Sequence, residues 1–135
     1  MTEAKKILVA EDDEVARQLL CMTLERQGFE VLTAEDGLKA YELALSLLPD
    51  LIITDVSMPG ADGAHLVRRV RDTEKLAATP IIVTTGFGTG SATFTLNVGA
   101  DAYEPKPVDP VNLVQTVRRL LAEGRGGHHL PPEDF

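Results

Sequence analysis

The sequence predicts an α/β fold, a parallel β-sheet with helices on both faces, and three observations carry that prediction. Short runs of β-favouring residues alternate with amphipathic helical patterns five times over. Ile7-Leu8-Val9-Ala10, Leu51-Ile52-Ile53 and Ile81-Ile82-Val83 are continuous apolar runs, which suits strands covered on both faces. The chain has 135 residues, 44% apolar and 25% charged, the size and balance of one globular domain with a core of its own.

The elements follow in order. Ile7–Ala10 is the first strand and runs into Glu11-Asp12-Asp13-Glu14. Val15, Leu19 and Met22, with Leu20 and Leu24 beside them, mark a helix capped by Asp13 and closed near Gly28. Residues 29–34 alternate and predict a more exposed strand; Asp36-Gly37 reads as a turn. Leu38, Tyr41, Ala44, Leu45 and Leu48 mark a second helix that Pro49 stops. Leu51–Asp55 is a third strand ending in a carboxylate, and Pro59-Gly60 turns the chain. Leu66, Val67 and Val70 mark a short third helix from about Asp62-Gly63. Residues 80–85 form the fourth strand. The helix predicted between Gly86 and Gly99 is weak, because Gly88, Gly90, Thr93 and Thr95 are poor helix formers. Ala102-Tyr103-Glu104 is a fifth strand, and Asp109-Pro110 opens a last helix through Leu121 that ends at Gly124. The domain is expected over residues 5–124, with 125–135 a tail or the start of a linker.

Composition narrows the classes. One cysteine, Cys21, allows no internal disulfide, and its place in a helical apolar pattern reads as packing. No apolar run reaches a membrane span, and the few residues before the first strand leave no room for a signal peptide, so a cytoplasmic location is expected. A net charge of −8 argues against direct nucleic-acid binding and favours divalent cations and basic partner surfaces.

In an open parallel sheet, ligands collect beyond the carboxyl ends of the strands. Those ends carry Glu11 and Asp12, then Asp55, then Thr84 and Thr85, with Lys106 in the loop after the fifth strand. Carboxylates brought together repel, so one takes up a proton or a cation sits among them. Mg2+ suits all-oxygen donors, whereas zinc and copper want His or Cys, which this set lacks. Each residue alone has a plainer explanation: acids after a strand complement a helix dipole, and a lysine is usually solvated. Joint placement at four strand ends favours a site. His65, His128 and His129 are expected in solvent.

These residues resemble the response-regulator receiver domain, the phospho-acceptor module of two-component signalling, over about residues 5–124. The matching motifs are Glu11-Asp12, Asp55 followed by Met58-Pro59-Gly60 and Asp62-Gly63, then Thr84, Gly99-Ala100-Asp101-Ala102-Tyr103 and Lys106-Pro107. The resemblance implies a doubly wound (βα)5 three-layer sandwich, flavodoxin-like, with strand order 2-1-3-4-5. It implies that Asp55 is the nucleophile that takes a phosphoryl group from a kinase phosphohistidine. Asp12 and Asp55 would ligate Mg2+ directly, Glu11 through water, and Ser57 through its carbonyl. Lys106 would face the phosphoryl oxygens, Thr84 and Tyr103 would be the switch pair, and the Lys106-Pro107 bond would be cis. Ser57 and Gly86 would tune dephosphorylation, and Val108 stands where the family is often aromatic.

The function expected is therefore a phosphorylation switch that catalyses only its own phosphorylation chemistry. Its expected partners are a sensor histidine kinase or phosphotransfer protein and a downstream protein target. The face of the fourth helix, fifth strand and last helix would bind that target or mediate a weak homodimer. A single-domain regulator is favoured over a fragment of a hybrid kinase or larger regulator. A non-phosphorylated pseudo-receiver is the other alternative, against which the complete set Glu11, Asp12, Asp55, Thr84 and Lys106 argues. An aspartyl phosphatase would usually carry a second aspartate where Ser57 stands. A flavin module would want ring-stacking aromatics that a 4% aromatic content does not supply.

Overall fold

The computed structural model describes residues 4–56, 63–86 and 99–124. The turn 57–62, the predicted helix over 87–98 and the tail with His128 and His129 lie outside the described residues. The elements are β1 (Lys6–Ala10), α1 (Glu14–Glu25), β2 (Glu30–Ala34), α2 (Gly37–Leu47) and β3 (Leu51–Asp55), followed by α3 (Gly63–Asp72), a 3-10 turn (Glu74–Leu76), β4 (Ile81–Thr85), β5 (Ala102–Pro105) and the last helix (Pro110–Glu123). All strand pairings are parallel, in the order β2-β1-β3-β4-β5.

Strand alternation splits the core in two. Leu8, Ala10, Ile52, Ile81 and Val83 face α2 and α3, where they meet Ala40, Ala44, Leu66, Val67 and Val70. Ile7, Val9, Leu51, Ile53 and Ile82 face α1 and the last helix, where they meet Leu20, Leu24, Leu113, Val117 and Leu120. β1, β3 and β4 are covered on both faces, which is why their sequences do not alternate. β2 lies at an edge and keeps residues 30 and 33 exposed.

Caps fix where the helices start. Asp13 accepts from the Ala16 amide at 2.8 Å, and Asp109 accepts from Val111 at 2.9 Å. Asp36-Gly37 is not a free turn: Asp36 caps α2, accepting from Lys39 at 2.8 Å. The stripe expected on α1 is displaced. Leu20 and Leu24 are buried, whereas Val15, Leu19 and Met22 are exposed. α1 carries more apolar residues than one face can bury. Leu38 and Leu48, also expected on the inner face of α2, are exposed as well.

Candidate functional site

β1 and β3 lie side by side and end at the same edge, with Ala10 opposite Thr54. The residues that follow or finish them, Glu11, Asp12 and Asp55, therefore gather there. One carboxylate oxygen from each lies within 4.8 Å of the other two. Asp55 is opposite Thr84 in register, so the Thr84 side chain shares the face of the acids. Lys106 arrives from the loop after β5, its amide held by the Thr85 carbonyl at 2.8 Å. Its ammonium lies 3.0 Å from Asp55 Oδ2, as a hydrogen bond, and 2.9 Å from Glu11 Oε1. The Lys106-Pro107 peptide is cis.

Glu11 is 1% exposed and Asp55 5% exposed, so the two acids are almost wholly removed from water. Burial pushes the Glu11 carboxyl up, opposed by Lys106 and the Asp13 amide and reinforced by Asp55. Burial works against the Lys106 ammonium too, but its contacts with Glu11 and Asp55 outweigh that and hold its pKa above the ordinary lysine value. Glu11 is fixed at both ends: its Oε2 accepts from Asp13 at 3.0 Å and its amide donates to Ala34 at 3.0 Å.

The donor set suits a hard divalent cation. It is all oxygen, partly buried, and bears three negative charges against one ammonium. Glu11 Oε1 touches Lys106 without hydrogen-bond alignment, so it retains acceptor capacity for a cation. Ser57, expected to add a carbonyl ligand, lies outside the described residues. Thr84 is 1% exposed, and among the described residues its hydroxyl has no hydrogen-bond partner. Tyr103 is exposed, and so is Gly86, where a Cβ would meet nothing within 4 Å. His65 is exposed on α3. Beside the cluster, Leu19, Leu20, Pro107, Val108 and Leu113 line an apolar groove to which Glu11 and Lys106 also contribute. Val108 packs partly against the core there.

Two supporting arginines escaped the sequence reading. Arg17 Nη1 donates to the Glu11 carbonyl at 2.9 Å and so braces the acidic loop from α1. Arg71 donates to the carbonyls of Gly99 (2.9 Å), Ala77 (3.2 Å) and Thr79 (2.7 Å) and to Asp101 Oδ2 (2.8 Å). An arginine that serves backbone carbonyls leaves no pattern of its own in a sequence; for Arg71 the acid at position 101 was the available signal.

The transcriptional regulatory protein CseB of Streptomyces avermitilis is 36% identical over 138 residues, covering 99% of this chain and 57% of that one. The chain spans about half the length of such curated relatives. The structure of the chemotaxis response regulator CheY4 of Vibrio cholerae superposes with a TM-score of 0.80 at 35% identity, over 87% of this chain and 98% of that one. The receiver domain of the sensor histidine kinase PA1611 of Pseudomonas aeruginosa, with a magnesium ion coordinated in its active-site cleft, gives a TM-score of 0.83 at 28% identity, over 88% of this chain and 98% of that one. The family model for the response regulator receiver domain matches residues 7–118, a span that runs from β1 into the last helix and takes in every strand end described above. With fold, strand-end acids and family match in agreement, the chain belongs to the response regulator receiver domain family.

Proposed function

We propose that Asp55 is the phosphoryl acceptor of this receiver and that its phosphorylation by a histidine kinase or phosphotransfer protein is the signal the chain relays. The observation that carries this reading is the Asp55 carboxylate set among Glu11, Asp12 and Lys106, buried yet at the open end of the sheet. A carboxylate oxygen of Asp55 attacks the phosphorus of the donor phosphohistidine. The P–O bond forms as the P–N bond breaks, and the histidine nitrogen leaves with the electron pair. Phosphoryl transfer depends mainly on positioning and charge neutralisation. Lys106 already lies on Asp55 and supplies a fixed positive charge where the phosphoryl oxygens arrive. Glu11, Asp12 and Asp55 would hold Mg2+, with Ser57 as the expected fourth ligand; bound there, the ion would neutralise charge on the transferring group.

The product has more negative charge where a carboxylate stood. The Thr84 hydroxyl, unpartnered and on the same face, is the group positioned to answer that charge, with Tyr103 following inward. The readout then falls on the face of β5, the last helix and the chain between β4 and β5. Ser57 and Gly86 would tune dephosphorylation, and a Cβ at Gly86 would meet nothing within 4 Å, so Gly86 itself offers no shield. The chain acts in the cytoplasm and turns over no external metabolite.

The test is incubation with Mg2+ and acetyl phosphate followed by intact mass, beside Asp55→Asn. The expected result is one phosphoryl group on the wild type and none on the variant, with loss of the adduct over time reading its lifetime. A wild type that takes no phosphoryl group at any Mg2+ concentration makes the chain a binding-only pseudo-receiver.

A further inference from the structure

Of the three acids at the strand ends, Glu11 and Asp55 are held by partners of their own. Lys106 lies on both, and Glu11 Oε2 also accepts from the Asp13 amide. Asp12 differs. It is exposed, and among the described residues no donor reaches its carboxylate. The direction of that carboxylate is therefore set by the main chain that carries it, the two peptides on either side of its Cα.

One side chain meets both peptides. Arg17 Nη1 donates to the Glu11 carbonyl at 2.9 Å and reaches the Asp12 carbonyl at 3.5 Å. Arg17 stands in the first turn of α1, where the helix dipole disfavours a cation. Asp12, Asp13 and Glu14 precede it closely, yet among the described residues its guanidinium forms no ion pair with them. It is half-buried and spent on carbonyls instead. α1 packs on the sheet through Leu20 and Leu24, so the arginine ties the acidic loop to a fixed element.

We infer that Arg17 is a positioning residue of the metal site: by holding the carbonyls on either side of the Asp12 Cα, it sets the direction of the Asp12 carboxylate and with it the fit of the acid cluster to Mg2+. It acts through Asp12 and not on the cation, and its role rests on the reading of Glu11, Asp12 and Asp55 as the Mg2+ ligands. The consequence is a preference among cations. Mg2+ demands near-octahedral geometry at short distances, whereas Ca2+ accepts varied arrangements of oxygen ligands. Loosening one carboxylate therefore costs Mg2+ more than Ca2+. The arginine's charge bears on both divalent ions alike and cancels in their ratio, as does any fraction of the variant that is unfolded.

The experiment titrates the protein with Mg2+ and, separately, with Ca2+, followed by amide chemical shifts, for the wild type, Arg17→Met and Arg17→Lys. Arg17→Met keeps the stem and loses the donors; it is expected to bind Mg2+ on the order of tenfold more weakly and Ca2+ less than about threefold more weakly. Arg17→Lys, the milder change, should move the ratio of the two dissociation constants in the same direction. An unchanged ratio in both variants overturns the inference. Tighter binding of both ions by Arg17→Met overturns it too, since that is the result of removing a positive charge alone. A wild type in which Mg2+ moves no amide near Glu11, Asp12 or Asp55 strikes the metal reading, and the inference with it.

Discussion

At Glu11, burial disfavours the anion and the Asp55 carboxylate adds to it, while the Lys106 ammonium and the Asp13 amide oppose; the balance leaves its pKa raised. A carboxyl whose pKa is higher folded than unfolded keeps its proton better in the folded state. Its contribution to stability is complete below the unfolded value and is lost as pH rises through the folded one. Lys106 is also raised, so its contribution is present throughout the acid and neutral range and is lost only above the ordinary lysine value. It therefore does not tilt the Glu11 comparison between about pH 4.3 and neutrality. In chelator, the melting temperature of Glu11→Gln minus that of the wild type should become more positive as pH rises through that window. Thermal melts at several pH values read the slope, and a difference that shrinks with pH contradicts the assignment. Adding Mg2+ should reverse the order at neutral pH, because the cation binds the folded wild type more tightly than a variant with one carboxylate fewer.

At the scale of elements, β3 and α3 approach each other closely at the site. A Cβ on Gly63 would collide with the Asp55 carbonyl oxygen and come within 2.8 Å of Val56 Cα and 2.9 Å of the Asp55 carbonyl carbon, all of them backbone atoms. The Gly63 amide also donates to the Val56 carbonyl at 3.1 Å. The first turn of α3 thus rests on the backbone that presents the acceptor, and Gly63→Ala has to move one or the other. Overpacking of this kind costs about 1–3 kcal/mol. The larger effect is expected on chemistry, since a misplacement near 1 Å costs on the order of a hundredfold in rate. Acetyl phosphate labelling measured well below the melting temperature separates the two; a rate equal to wild type would defeat the positional argument. The strand ends were legible because continuous apolar runs mark covered strands and a parallel sheet brings their carboxyl ends to one edge. The phase of α1 was not legible, because Leu20 and Leu24 compete with Val15, Leu19 and Met22 for the sheet and periodicity cannot rank them. Glu104 gave no sign of being buried; only the last helix, which brings the Thr116 hydroxyl within 3.0 Å of it, makes that tolerable.

Across the whole molecule, the edge of the sheet opposite the acids is gathered on Arg71. From the last turn of α3 it reaches the carbonyls of Ala77 and Thr79 before β4 and of Gly99 before β5, while Asp101 Oδ2 receives both Arg71 and the Ile81 amide, each at 2.8 Å. Gly99 sits at φ +128°, with Arg71 Cγ 2.8 Å from where its Cβ would be, so glycine suits both the backbone and the space. The pair is largely buried, with side chains 11% and 6% exposed. Removing one partner of a buried pair costs about 3–5 kcal/mol, a large part of the 5–15 kcal/mol that holds a domain together. Arg71→Ala should therefore lower the denaturation midpoint of the domain as a single cooperative transition, because α3, β4 and β5 lose the same tie. The acid cluster lies at the other end of the strands and depends on β1, β3 and the Lys106 loop. In the fraction that remains folded, Mg2+ affinity should stay near the wild-type value. Urea unfolding and a Mg2+ titration read the two quantities separately. A wild-type midpoint would show that the Arg71 contacts contribute no net stability, and a Mg2+ affinity that falls with it would show that the two ends of the sheet are not independent.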